Sequence, residues 1–166
     1  EAQLSLKTKK FAENVLDSTN AWELIVEDEA ELSGLPDSVK EAARLDALAN
    51  GHGTEEEPRW RFTQKFTSLQ PVMQFADSDS LRRRMWEGSC SIGKGGEYDN
   101  EALIAEILEL RDRKAHLLGY GCFADYAPSR RMAGSGANAL KFINDLHDKV
   151  KPSFLKDMEA VRRYKE

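Results

Sequence analysis

The sequence predicts an all-α fold, a multi-helix array with at most one or two short β-strands. Apolar residues recur at helical spacing along most of the 166 residues. Short connections marked by glycine, proline and polar residues separate these runs. Only one segment, Trp60-Arg61-Phe62-Thr63, alternates with the period of two that marks a half-buried strand.

The first helix is predicted over residues 2–23. Leu4, Phe11, Val15 and Trp22 share one of its faces, and Ser18, Thr19 and Asn20 weaken its last turns by competing for backbone hydrogen bonds. Leu24-Ile25-Val26 is too short for periodicity to assign. It either continues the helix or forms a strand that partners Trp60 to Thr63. Asp28 is a good N-cap, and Glu31 completes the spacing of a capping box. Gly34 and Pro36 keep the helix that follows brief. A third helix is predicted over residues 37–50 from Val39, Ala42, Ala43, Leu45 and Leu48, ended by Gly51 and Gly53. The stretch GHGTEEEP reads as an exposed loop.

After the strand, residues 68–75 read as a short helix with Pro71 in its first turn, where the missing N–H is tolerated. Asp77 or Ser78 caps a helix carrying Leu81, Met85 and Trp86. A loop at Gly93 to Gly96 precedes the clearest helix, which starts at Asp99 or Asn100 and ends at Gly119. Leu103, Ile104, Ile107, Leu108, Ala115 and Leu118 form its inner side. A short helix is expected around residues 123–132, disturbed by Pro128. The last helix is capped by Ser135 and carries Ala139, Ile143, Leu146, Val150, Met158 and Val161. Pro152 is expected to kink it or break it in two.

The length suits one domain, spanning 1–166. Apolar residues make up 40% and charged residues 32%, which excludes a disordered chain. A net charge of −5 argues against nucleic acid as a partner, and no apolar run is long enough to cross a membrane. Cys90 and Cys122, outside any C-x-x-C pair, fit reduced thiols and a cytoplasmic location. The chain begins on Glu1 rather than Met, so it is expected to start inside a longer protein or after removal of a tag.

The run KFAENVLDSTNAWELIVEDEAE, followed by LSGLPD, resembles the region upstream of the active site in zinc metallopeptidases of the thimet oligopeptidase, oligopeptidase A and dipeptidyl carboxypeptidase family. The likeness continues through LQPVM at 69–73 and the LRRRMW helix at 81–86. It takes in Asp99-Asn100 with IAEILELRDRKAHLL and Gly119-Tyr120, then Ala124-Asp125-Tyr126, Arg131-Met132-Ala133 and Lys151-Pro152, all in the family's order. Gly136 stands where the family often has proline, Pro128 interrupts a stretch that usually lacks it, and the loop at 51–58 is unusually acidic.

The resemblance implies an N-terminal-half fragment of a larger helical peptidase fold, upstream of the catalytic zinc region. In the family a zinc ion held by H-E-x-x-H and a downstream glutamate activates water. No H-E-x-x-H occurs here, so no catalytic, cofactor-binding or metal-ligating residue is carried over, and zinc is expected in the parent enzyme only. The expected role is scaffold and channel wall of an oligopeptidase that hydrolyses short peptides, inactive in isolation. Its partners would be the remainder of the parent peptidase and, in that parent, short peptides. A homodimer through exposed apolar faces is a further expectation. The alternative is a stand-alone helical module that binds peptides or proteins and has lost the catalytic half.

Other chemistry-bearing residues read as structural. His52, His116 and His147 are far apart in sequence, too few for a zinc site. Glu55-Glu56-Glu57 reads as a solvated loop. Ser89-Cys90-Ser91 lacks a neighbouring histidine or a nucleophile elbow. Trp22, Trp60 and Trp86 fall on apolar faces and are expected to pack in the core.

Overall fold

A computed structural model describes residues 1–165 and bears out the all-α reading: helices joined by short connections, with one two-stranded sheet among the described residues. The elements are α1 (Ala2–Ala21), β1 (Glu23–Val26), α2 (Asp37–Ala49), β2 (Trp60–Thr63), α3 (Phe66–Phe75), α4 (Asp79–Ser91), α5 (Glu101–Leu117), α6 (Phe123–Tyr126) and α7 (Gly136–Lys165). They divide into two compact units, one of residues 5–106 and the other of residues 1–4 with 107 onward.

In the first unit, Leu24 to Val26 is strand rather than helix. α1 stops at Ala21, two residues short of the predicted end. The polar residues there turn to other partners: Thr19 Oγ1 donates to the Val15 carbonyl at 2.7 Å, and Ser18 Oγ accepts from Gly93 N at 3.0 Å. β1 pairs antiparallel with β2, Leu24 opposite Phe62 and Val26 opposite Trp60. The inward residues Val26, Trp60 and Phe62 join Leu32, Ala43, Val72, Leu81 and Met85 in one buried cluster. α2 packs on β2, and α3 and α4 pack together beside it.

The segment after Asp28 is a 3-10 turn (Glu29–Leu32) whose N-cap holds as predicted, Asp28 Oδ1 accepting from Ala30 N at 2.9 Å. The carboxylate of Glu31 goes elsewhere, to an ion pair with Arg84 of α4. Gly34 sits at φ +84°, and a Cβ there would lie 2.2 Å from the Phe75 carbonyl oxygen. This close approach lets Ser33 O accept from Asp77 N, while Ser33 Oγ donates to Asp77 Oδ2, both at 2.8 Å. Those bonds fasten the turn to the end of α3.

α3 begins at Phe66, two residues earlier than predicted, so Pro71 falls in the second turn. Ser68 falls inside α3, and its hydroxyl accepts from Thr63 N at 3.0 Å. Ser78 is the cap of α4, accepting from Leu81 N at 3.2 Å. Leu81 and Met85 are buried, but Trp86 is 58% exposed, so the expectation that it packs in the core fails. Gly88, two residues on, is the position that meets a tryptophan: a Cβ there would lie 2.3 Å from Trp22 Cζ2.

α5 starts where Asp99 Oδ1 accepts from Glu101 N at 3.1 Å, and Gly119 past its end takes φ +82°. Of its predicted inner side, Ile107 and Ala115 are buried, while Ile104, Leu108 and Leu118 are about half exposed. Periodicity marked an apolar face, but the described residues cover only part of it.

In the second unit, α6 ends before Pro128 instead of running to Met132: Ala127 keeps helical backbone, but Pro128 has no N–H to donate to the next turn. Tyr120, Phe123 and Tyr126 cluster with ring centroids 5.4 and 5.8 Å apart. Arg111 and Lys114 lie over two of these rings, each 5.3 Å from the centroid. The Gly136 N–H donates to Asp125 Oδ1 at 3.2 Å, a bond that proline could not make. α7 runs as one helix through Pro152 rather than breaking in two. All of its residues from 141 to 165 are exposed, so water can take the carbonyl that the proline leaves without a donor.

Candidate functional site

One charged centre of the first unit is built around Arg61, which pairs with two carboxylates. On β2 the arginine lies between Trp60 and Phe62, whose side chains turn into the core, so its own points to the opposite face of the sheet. Its Nε donates to Glu23 Oε2 at 2.7 Å and one terminal nitrogen to Asp46 Oδ2 at 2.6 Å. One side chain thus ties β1, β2 and α2 together. Its hydrogen bond holds the Glu23 carboxyl below the usual carboxylate range, helped by the charges of Arg61 and His52 and opposed by desolvation. His52 Nε2 stands 3.4 Å from Glu23 Oε1. Beside this pair opens a groove of about 280 Å³, floored by Val39, Ala43 and Phe62 and rimmed by Asp46, Lys65 and Thr67.

Sequence reasoning assigned Arg61 only as the outward residue of a strand. The signal was an arginine flanked by two core aromatics, which the strand pairing sets beside a glutamate.

The weighed residues are dispersed. His116 Nδ1 is 3.0 Å from the Asp112 carbonyl and 3.3 Å from Asp112 Oδ2 on its own helix, and His147 lies on the exposed α7. Ser89 Oγ donates to Gln64 Oε1 at 2.5 Å, and Cys90 is exposed. Cys122 Sγ contacts Asp125 Oδ2 at 3.4 Å. In the acidic loop, Glu57 N donates to Thr54 Oγ1 and Thr54 N to Glu57 O, a closed turn. Among the described residues no three His, Cys, Asp or Glu side chains converge as a metal would require.

The elements that carry the family resemblance have structural work. Asn100 is buried, its Nδ2 donating to the Phe11 carbonyl at 3.2 Å and its Oδ1 accepting from Asn14 at 3.0 Å. Of the three arginines in LRRRMW, Arg82 bonds the Ala76 carbonyl and Asp79, Arg83 pairs with Glu87, and Arg84 pairs with Glu31. No helix among the described residues is long and apolar enough to cross a membrane.

A family model described as Peptidase family M3 matches residues 72–166. Oligopeptidase A of Haemophilus influenzae is 33% identical over 168 residues, covering 98% of this chain and 24% of the relative. The organellar (chloroplastic/mitochondrial) oligopeptidase A of Arabidopsis thaliana is 34% identical, covering 99% of this chain and 21% of the relative. Saccharolysin of Saccharomyces cerevisiae is 28% identical, covering 98% of this chain and 22% of the relative. The chain thus spans at most about a quarter of the length of these relatives.

Proposed function

We propose, from the premise that this chain belongs to peptidase family M3, that it is the scaffold and channel-wall segment of a zinc-dependent oligopeptidase acting on short peptides in the cytoplasm. The observation that carries the reading is the match along nearly the whole chain to oligopeptidases four to five times its length, in a sequence without H-E-x-x-H. The residues present do positioning work. Arg61 and Asn100 tie separate elements together, and Asp28 and Ser78 cap the starts of theirs.

On this reading the metal and its glutamate base come from other parts of the parent polypeptide, and the 166 residues alone are inactive. The test incubates the chain with equimolar zinc and a quenched fluorescent peptide. The expected outcome is no stoichiometric zinc after desalting, measured by atomic absorption, and no turnover. Bound zinc at one per chain together with peptide cleavage would overturn the proposal.

A further inference from the structure

Between Leu140 and Tyr164, every large apolar side chain of α7 is about half exposed or more. At about 100° per residue these side chains gather on one side of the helix. From Phe142 they run round through Leu146, Val150, Ile143 and Phe154 to Leu140, an arc of about 160°. Tyr164, Val161 and Met158 fall within it, and Leu155 stands about 60° beyond. The opposite side is charged, with Lys141 paired to Asp145 and Arg163 to Glu159 along it.

The width decides what can cover such a face. Two helices that pair along a seam use about two positions in seven, and a helix lying on one side of a core shows a stripe of roughly 100°. An arc of about 160° needs neighbours on two sides. A second α7 laid along it would leave either Phe142 or the pair Leu140 and Met158 in water.

Asp157 lies inside the arc, about 20° from both Leu146 and Val150. The residues three and four positions from it are Ser153, Phe154, Ala160 and Val161, so no base on its own helix is spaced to pair with it. A carboxylate enclosed by apolar neighbours needs a cationic partner or loses its charge.

We propose that the apolar side of α7 seats at least two further segments of the parent polypeptide, outside these 166 residues, and that one of them sets an arginine or lysine against Asp157. On the peptidase reading, on which this rests, there is ample chain to supply them: the match leaves about three quarters or more of each relative outside it.

The test compares the 166-residue chain with the product of the whole reading frame that contains it. Single cysteines are introduced at exposed positions of α7, and their labelling by N-ethylmaleimide is followed peptide by peptide by mass spectrometry. Phe142→Cys, Val150→Cys and Met158→Cys are expected to react at least roughly tenfold more slowly in the whole polypeptide than in the 166-residue chain. Asp145→Cys, on the charged side, should react equally fast in both. Asp157→Asn is expected to lower the Tm of the whole polypeptide by about 3 °C or more, because it strands a buried cation, and to leave that of the 166-residue chain unchanged. Any of the three face cysteines reacting alike in both, Asp145→Cys protected along with them, or an Asp157→Asn polypeptide as stable as its parent would overturn the proposal. So would protection of the same cysteines in the 166-residue chain as its concentration rises, the mark of a second copy. A whole polypeptide that cleaves peptides while the face stays reactive leaves the peptidase reading standing and removes only this proposal, whereas a reading frame that stops at Glu166 removes both.

Discussion

Replacing Gly88 by alanine tests how tightly the first unit is packed. Two effects oppose each other. In a helix interior, alanine is favoured over glycine by about 1 kcal/mol. Against this, the new methyl would lie 2.3 and 2.4 Å from two atoms of the Trp22 indole and 2.6 Å from Gln64 Nε2. Carbon atoms rest at about 3.5 Å, so the indole must retreat by roughly 1 Å. Trp22 is packed against the buried cluster of Val26, Phe62 and Met85 and has little room to do so. Gln64 cannot swing aside freely, because its Nε2 donates to the Met85 carbonyl at 3.1 Å and its Oε1 accepts from Ser89. Overpacking costs about 1–3 kcal/mol and a disrupted hydrogen bond about 1 kcal/mol more. The net expectation is a loss of roughly 1–3 kcal/mol, or a fall in Tm of about 3–10 °C. All three tryptophans lie within residues 5–106, so urea unfolding followed by indole fluorescence reports on that unit. Trp22→Phe in the Gly88→Ala background should return part of the loss, since the smaller ring makes room. A variant as stable as the parent, or more stable, would refute the packing argument and leave helix propensity as the dominant effect.

Gly34→Ala is expected to cost about 2–4 kcal/mol, because it combines a left-handed backbone with a collision at the Phe75 carbonyl; thermal unfolding by circular dichroism reads it. Gly136→Pro removes the N–H that Asp125 accepts and crowds the Ala124 carbonyl, so amide exchange over the first turns of α7 should accelerate several-fold. Acid sensitivity should follow Glu23. Its folded-state carboxyl titrates below the ordinary range, so its contribution is present above that range and lost as the pH falls through the lowered value. Stability measured from about pH 6 to pH 3 should therefore fall less steeply in Glu23→Gln than in the parent chain. An unchanged slope would show that Arg61 does not distinguish the two protonation states.

Much of this architecture could be read from the residues. Ser78, Asp28, Gly119 and Ser135 mark element ends because caps and left-handed turns are local events, decided within a few residues. The partnership of Leu24–Val26 with Trp60–Thr63 was legible as one of two options, and the register then needed the third dimension. Errors gathered where a side chain found a distant partner. Glu31 left its capping role for Arg84, 53 residues away. A local miss was the start of α3, which lies two residues earlier than predicted and shifts Pro71 into the second turn. Trp86 and the outer residues of α5 show the other limit, that an apolar face is visible in sequence but its cover is not. The likeness to a peptidase family was carried by ordered short elements. The Arg61 centre was missed because its acidic partners come from β1 and α2, 38 and 15 residues away.

The two-stranded sheet has a consequence for how the chain is made. Its halves are separated along the polypeptide by the whole of α2 and its flanking turns, with Val26 opposite Trp60. During translation at about 5–20 residues per second, β1 leaves the ribosome roughly 2–7 s before its mate. For that interval a short hydrophobic ribbon has unmatched amides and carbonyls, and the helix before it can fold at once while the ribbon cannot. Nascent-chain lengths that stop between the two strands are expected to leave this ribbon open to holding chaperones and to misassociation.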